Sequence, residues 1–126
     1  MKKITALFFA LLLLTGCAAP AGEPAAYQQI SQEQALEIMQ SQKDVVILDV
    51  RTPEEYAAGH IAGAVNLPNE TISDQEIPSL PDKDQTLLVY CRSGNRSKQA
   101  SRKLADLGYT RVLEFGGINT WKGPME

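Results

Sequence analysis

The chain has one histidine, one tryptophan and two cysteines in 126 residues, and aromatic residues make up only 6% of it. A single histidine, His60, excludes a metal centre built on histidine pairs. Two cysteines, Cys17 and Cys91, allow at most one intramolecular disulfide, so the fold is not a disulfide scaffold. Nine Gly and seven Pro are too scattered for a collagenous or low-complexity chain. At 44% hydrophobic and 21% charged residues the chain is too apolar to stay disordered, and its length suits one domain with a modest core. Basic residues are outnumbered, 12 against 15 acidic, for a net charge of −3. A net-acidic domain of this size lacks the basic face that a nucleic-acid backbone requires.

The longest apolar run, Ile4 to Leu14, is interrupted only by Thr5 and follows the basic start Met1-Lys2-Lys3. It is about half the ~20 residues that a membrane-spanning helix needs, and the layout is that of a secretory signal. Leu14-Thr15-Gly16-Cys17 resembles the bacterial lipobox. The resemblance implies that residues 1–16 are removed and that Cys17 becomes a lipidated N-terminus. Residues 17–30, with Ala, Gly and Pro prominent, then read as a flexible tether, and residues 31–126 as the folded domain. An uncleaved anchor, or a plain signal cut nearby, is the alternative; each version exports the domain. The expected location is the bacterial cell envelope, on its periplasmic or extracellular face, with the membrane reached through the lipid on Cys17. Without Lys2 and Lys3 the net charge falls from −3 to −5. With Cys17 lipidated, Cys91 is a lone thiol outside the cytoplasm, where thiols oxidise readily.

Ser31-Gln32-Glu33-Gln34 has the form of a capping box, and Ala35, Leu36 and Met39 recur at helical spacing, predicting a helix that ends near Lys43-Asp44. Val45-Val46-Ile47-Leu48 reads as a strand buried on both faces. Thr52 caps a short helix from Pro53 to Ala58. A brief strand is expected over Ile61 to Leu67, loops with one short helical piece over Asn69 to Asp84, and a second buried strand from Thr86 to Tyr90. Ala100, Leu104 and Leu107 mark a helix from about Ser97, closed by Gly108. Arg111-Val112-Leu113 is one more strand, and Gly116-Gly117 opens a last short helix carrying Trp121. Alternating strands and helices predict an α/β fold with a small parallel sheet flanked by helices on both sides.

Ligands in such sheets bind at the carboxyl ends of strands, and there Cys91 opens the loop Arg92-Ser93-Gly94-Asn95-Arg96 before Ser97 starts the helix. Small residues let successive N–H groups turn inward, and the helix start adds its positive end, so the loop is expected to cradle an anion. Arg92, Arg96, Lys98, Arg102 and Lys103 concentrate positive charge here, with no acid from Tyr90 to Ala105. A thiol beside arginines and a helix start is expected to ionise below its ordinary range and to act as a nucleophile. A buried structural cysteine next to a solvated basic helix face is the plainer alternative.

Val89-Tyr90-Cys91-Arg92-Ser93-Gly94-Asn95-Arg96-Ser97 resembles the active-site loop of single-domain rhodaneses, the thiosulfate sulfurtransferase family. Leu48-Asp49-Val50-Arg51 with Glu54-Glu55-Tyr56 and Gly59-His60-Ile61-Ala62-Gly63 is similar to the family's N-terminal signature. Leu107-Gly108-Tyr109 and Gly116-Gly117-Ile118 with Trp121 are similar to its C-terminal one. The resemblance runs in order from about Ser31 to Trp121. It implies a rhodanese-like fold and a catalytic Cys91 that takes a sulfane sulfur from a small anionic donor such as thiosulfate and passes it, as a persulfide, to cyanide or a thiol. Neither metal nor organic cofactor is implied, and a monomer is expected.

Cysteine phosphatases, including those that share this fold, place five residues between Cys and Arg; here Arg96 follows after four and Ser97 stands where their arginine would be, which disfavours phosphate or arsenate chemistry. Asp49, Arg51 and Glu55 are expected to form an ion network that supports the scaffold, and His60 is expected to be structural. Two further alternatives are a non-enzymatic module that carries persulfide or binds a partner, and a thiol redox sensor.

Overall fold

A computed structural model describes residues 26–126. The expected signal segment, Cys17 and most of the tether lie outside the described residues.

The last part of the expected tether is not tether. Gln28–Gln29 form a two-residue strand, β1, paired in parallel with the final strand, and the Ile30 amide extends the pairing to the Glu114 carbonyl at 2.9 Å. Two exposed glutamines give no alternating apolar signal, and only the neighbouring strand reveals their role. Helix α1 (Gln32–Ser41) follows, and its capping box is made as expected: the Gln34 amide donates to the Ser31 hydroxyl at 3.0 Å, and the Ser31 amide to the Gln34 side chain at 2.9 Å. It stops at Ser41, short of Lys43.

Strand β2 (Val45–Asp49) leads to helix α2 (Pro53–Ala57), which Thr52 caps and Pro53 begins. The strand expected over Ile61 to Leu67 shrinks to β3 (Val65–Asn66), because Gly63 turns the chain at φ 83°. Ile61 instead makes an isolated antiparallel bridge to Met125, tying this turn to the C-terminus. Strand β4 (Thr86–Cys91), helix α3 (Asn95–Asp106) and strand β5 (Arg111–Gly117) complete the elements. The expected final helix is a short 3-10 turn at Ile118–Thr120, and Trp121 ends it.

The sheet order is β1-β5-β4-β2-β3 and every pair is parallel. Alternation along β4 builds two cores. Leu87, Val89 and Cys91 face Ala100 and Leu104 of α3, while Leu88 and Tyr90 face Ala35 of α1 together with Leu113 and Phe115. Helices therefore cover both faces, which is why β4, buried along its whole length, reads as a continuous apolar run.

Beneath the turn after β2 lies a buried polar knot. The Arg51 side chain donates to Asp49 through Nε at 3.0 Å and Nη2 at 2.7 Å, and the Arg51 amide donates to the same carboxylate at 2.9 Å. The Tyr90 hydroxyl donates to Asp49 at 2.6 Å while accepting the Ile61 amide at 3.0 Å. Arg51 also reaches the Gly59 carbonyl at 2.7 Å. Burial first, and then the bond to Asp49, raises the Tyr90 hydroxyl above its ordinary value, so it stays a donor.

Candidate active site

Cys91 is the last residue of the central strand β4, and three loop residues separate it from α3. Gly94 makes the turn possible: it caps the helix with φ 110°, the left-handed region that side chains disfavour. Its amide then points back at the sulfur, donating to Cys91 Sγ at 3.0 Å. The loop is pinned from behind, where the Asn119 amide donates to the Arg92 carbonyl at 3.2 Å. Gly117, opposite Cys91 in the β4–β5 pairing, comes so close that a Cβ there would stand 2.1 Å from the Arg92 carbonyl oxygen. Gly117 thus lets the cradle lie close against the sheet, and no larger side chain fits there.

Cys91 is 1% exposed. Burial works against its ionisation, but hydrogen bonding with the Ser97 side chain and hydrogen bonds from the Ser97, Gly94 and Ser93 amides outweigh it, so the thiol lies below its ordinary value. The direction is the one expected from sequence, and of the two causes expected the helix start is the one that acts, since Gly94 is its cap and Ser97 lies in its first turn. Oriented loop donors, rather than adjacent arginine charge, favour the thiolate.

The arginines explain why. Arg96 does not point freely into the loop: its guanidinium makes a two-bond fork to Glu55, Nη1 to Oε1 at 2.7 Å and Nη2 to Oε2 at 3.1 Å. Glu55, expected to join Asp49 and Arg51, pairs instead with Arg96 and with the Thr52 cap. The correction is geometric, since Glu55 lies on the first turn of α2, which faces the start of α3 rather than the Asp49 knot. Arg92 and Ser93 are exposed on the loop, and Asn95 is exposed at the start of α3.

Arg96 holds the Glu55 carboxyl down from 4.5 to about 2, with burial opposing and the Thr52 bonds assisting. A carboxyl whose folded pKa is depressed adds stability above its unfolded value and loses it as the pH falls through the folded one. Glu55→Gln is therefore expected to lower the melting temperature at neutral pH. The gap to the unmodified chain should narrow from about pH 4.5 and vanish near pH 2, as read by thermal unfolding across that range; a gap independent of pH would overturn the pairing.

His60 lies flat on Tyr56, with ring centroids 3.8 Å apart, and its Nδ1 lies 3.0 Å from the Tyr56 carbonyl oxygen. Its Nε2 is 3.5 Å from the exposed Glu126 carboxylate. These contacts brace α2 against the C-terminus and involve no residue of the Cys91 loop. Among the described residues no group of three or more His, Cys, Asp or Glu side chains is gathered to hold a metal.

One site residue has no counterpart in the motif reading. Glu114 on β5 is 2% exposed and lies directly behind the loop, accepting the Ser97 hydroxyl at 2.6 Å and the Gly116 amide at 2.7 Å. An acid inside the run Val112-Leu113-Glu114-Phe115 was the available signal, because a charge in the middle of a buried strand needs partners.

The Rhodanese-like domain family matches residues 31–124. The chain belongs to that family. Residues 1–18 separately match the prokaryotic membrane lipoprotein lipid attachment site. The chain is similar to a protein named sulfurtransferase from Allochromatium vinosum, at 42% identity over 74% of this chain and 86% of that protein. It is also similar to thiosulfate sulfurtransferase PspE of Escherichia coli K12, at 41% identity over 56% of this chain and 68% of the relative. Among solved structures it resembles a rhodanese with anions from E. coli, with a TM-score of 0.59 and 37% identity, covering 65% of this chain and 96% of that one. This rhodanese chain thus carries a match to a lipid attachment site ahead of its domain, and among its described residues no helix is long and apolar enough to cross a membrane.

Proposed function

We propose that this rhodanese is a sulfurtransferase in which Cys91 carries the sulfur. The thiolate attacks the sulfane sulfur of thiosulfate or a similar anionic donor, forming an S–S bond as the S–S bond of the donor breaks and sulfite departs with its electron pair. A thiophilic acceptor, cyanide or a thiol, then takes the outer sulfur and returns Cys91 to the thiolate. The observation that carries this reading is the set of amide N–H donors converging on one buried sulfur at the end of the central strand, with the Ser97 hydroxyl 3.3 Å from it. The same donors favour the anionic persulfide by the preorganised stabilisation that serves other developing anions. Arg92, exposed at the loop, is free to draw in the donor, whereas Arg96 acts from its pairing with Glu55. Asp49, Arg51, Glu55 and His60 serve the scaffold.

In this reading Cys17 bears the lipid, residues 1–16 are removed, and the domain works as a monomer outside the cytoplasm on a short tether. The names of the sulfurtransferase relatives and the lipid attachment site support it. Incubating the full chain with thiosulfate should add the mass of one sulfur, lost again with release of thiocyanate when cyanide is added. A folded, reduced chain that gains no mass would reject thiosulfate as the donor and favour a module that binds without turnover.

A further inference from the structure

The contacts around Ser97 leave a question of proton placement. Ser97 is wholly buried, and its single hydroxyl proton has four neighbours: Glu114 Oε2 at 2.6 Å, the Gly94 carbonyl at 2.9 Å, the Gly116 carbonyl at 3.3 Å and Cys91 Sγ at 3.3 Å. The shortest contact takes the proton to Glu114. The lone pairs of Ser97 Oγ then face the sulfur, which suits a thiol donating its S–H but repels a thiolate. For Cys91 to ionise in place, Ser97 must turn its proton to the sulfur. Its oxygen would then meet Glu114 at 2.6 Å with lone pairs on both sides, unless Glu114 carries a proton.

We propose that Glu114, acting through Ser97, is the internal acceptor of the Cys91 proton. The S–H bond breaks and leaves its electron pair on sulfur as that proton passes to Ser97 Oγ, while the Ser97 hydroxyl proton passes to Glu114 Oε2. One proton and one negative charge stay within the site throughout. The arrangement avoids burying two anions on either side of one hydroxyl without an ion-pair partner: among the described residues no Lys or Arg forms an ion pair with Glu114. The remaining bonds to the carboxylate come from neutral donors, the Gly116 amide and, at 3.3 Å, the Gln29 side chain of β1. The missed edge strand therefore contributes to the site. The charged groups that face the pair are Arg96, engaged by Glu55, and Lys98, which lines the same shallow cavity as Glu114; both are on α3, while β1, β5 and the loop amides present neutral groups.

The inference rests on the proposed role of Cys91 as nucleophile, and its signature is a shape rather than a rate. When two sites share one proton, the fraction of thiolate is set by the internal exchange and is independent of pH until the second proton leaves. The experiment records the ultraviolet absorbance of the Cys91 thiolate, as the difference between the full chain in detergent and its Cys91→Ser variant, from about pH 5.5 to about pH 8. The unmodified chain should show a plateau of partial thiolate. Glu114→Gln and, independently, Ser97→Ala should replace it with a single titration in which thiolate falls about tenfold per pH unit below its midpoint. A single titration in the unmodified chain overturns the relay without needing any variant to fold. So does a folded Glu114→Gln protein in which the plateau persists. A plateau together with failure to take sulfur from thiosulfate would leave the relay standing and reject the donor.

Discussion

Cys91→Ser is expected to keep the fold and to lower thiosulfate-to-cyanide sulfur transfer at least about 10³-fold, the scale seen when a nucleophile is removed from a site that otherwise stays intact. Serine is smaller than cysteine by a fraction of a methyl group, and the Gly94 amide and Ser97 hydroxyl that now bond to sulfur can bond to an oxygen. The packing against Leu104 and Val112 therefore has little reason to change. The chemistry does change, because a hydroxyl is far harder to ionise than a thiol and attacks sulfur poorly. Thiocyanate formation and the melting temperature should be read on the same preparation. Retention of more than a tenth of the rate in the serine variant would remove Cys91 from the reaction.

The second large effect concerns stability alone. Asp49 is wholly buried and accepts from the Arg51 side chain, the Arg51 amide and the Tyr90 hydroxyl. Asp49→Ala leaves a guanidinium 5% exposed as a residue and a phenol without their anion. Breaking a buried pair by removing one partner costs about 3–5 kcal/mol. For a domain of about 100 residues that lowers the melting temperature by more than about 10 °C. Adding Arg51→Met to the first substitution removes the stranded charge and should restore part of the loss. A shift of only a few degrees for Asp49→Ala would mean that water or a rearranged carbonyl takes over, and the knot would then contribute little.

The buried strands were readable because a strand covered on both faces has no polar positions. Thr86 to Tyr90, buried throughout on the central strand, shows this, whereas Val45 to Ile47, on the strand beside it, are only partly covered. Helix α1 was legible through its capping box and α3 through its apolar spacing, though α3 begins at Asn95, ahead of Ser97, because Gly94 supplies the cap by backbone conformation alone. β1 left no mark: two exposed glutamines become a strand only by pairing with Leu113 and Glu114. The span from Ile61 to Leu67 looked like a strand because it is apolar, yet Ile61 and Ala64 are buried by a turn that Gly63 makes.

At the site, the sequence by itself determined the nucleophile candidate, the length of its loop and the family. These are properties of consecutive residues, and a strand, a glycine-bearing turn and a helix start are coded locally. It could not decide where the charges go. Arginines and a helix start near Cys91 were both expected to activate the thiol, but Arg96 is claimed by Glu55, which lies 41 positions away in the chain, and the donors on the sulfur are amides of the loop and helix start. Nor could it connect Glu114 to Ser97, 17 positions earlier and on another element, since only the parallel pairing of β5 with β4 brings that carboxylate behind the loop. Ion pairs and proton paths depend on distances of a few ångströms between remote segments. Those distances are fixed by how helices pack on the sheet, which is why the tertiary structure alone decided them.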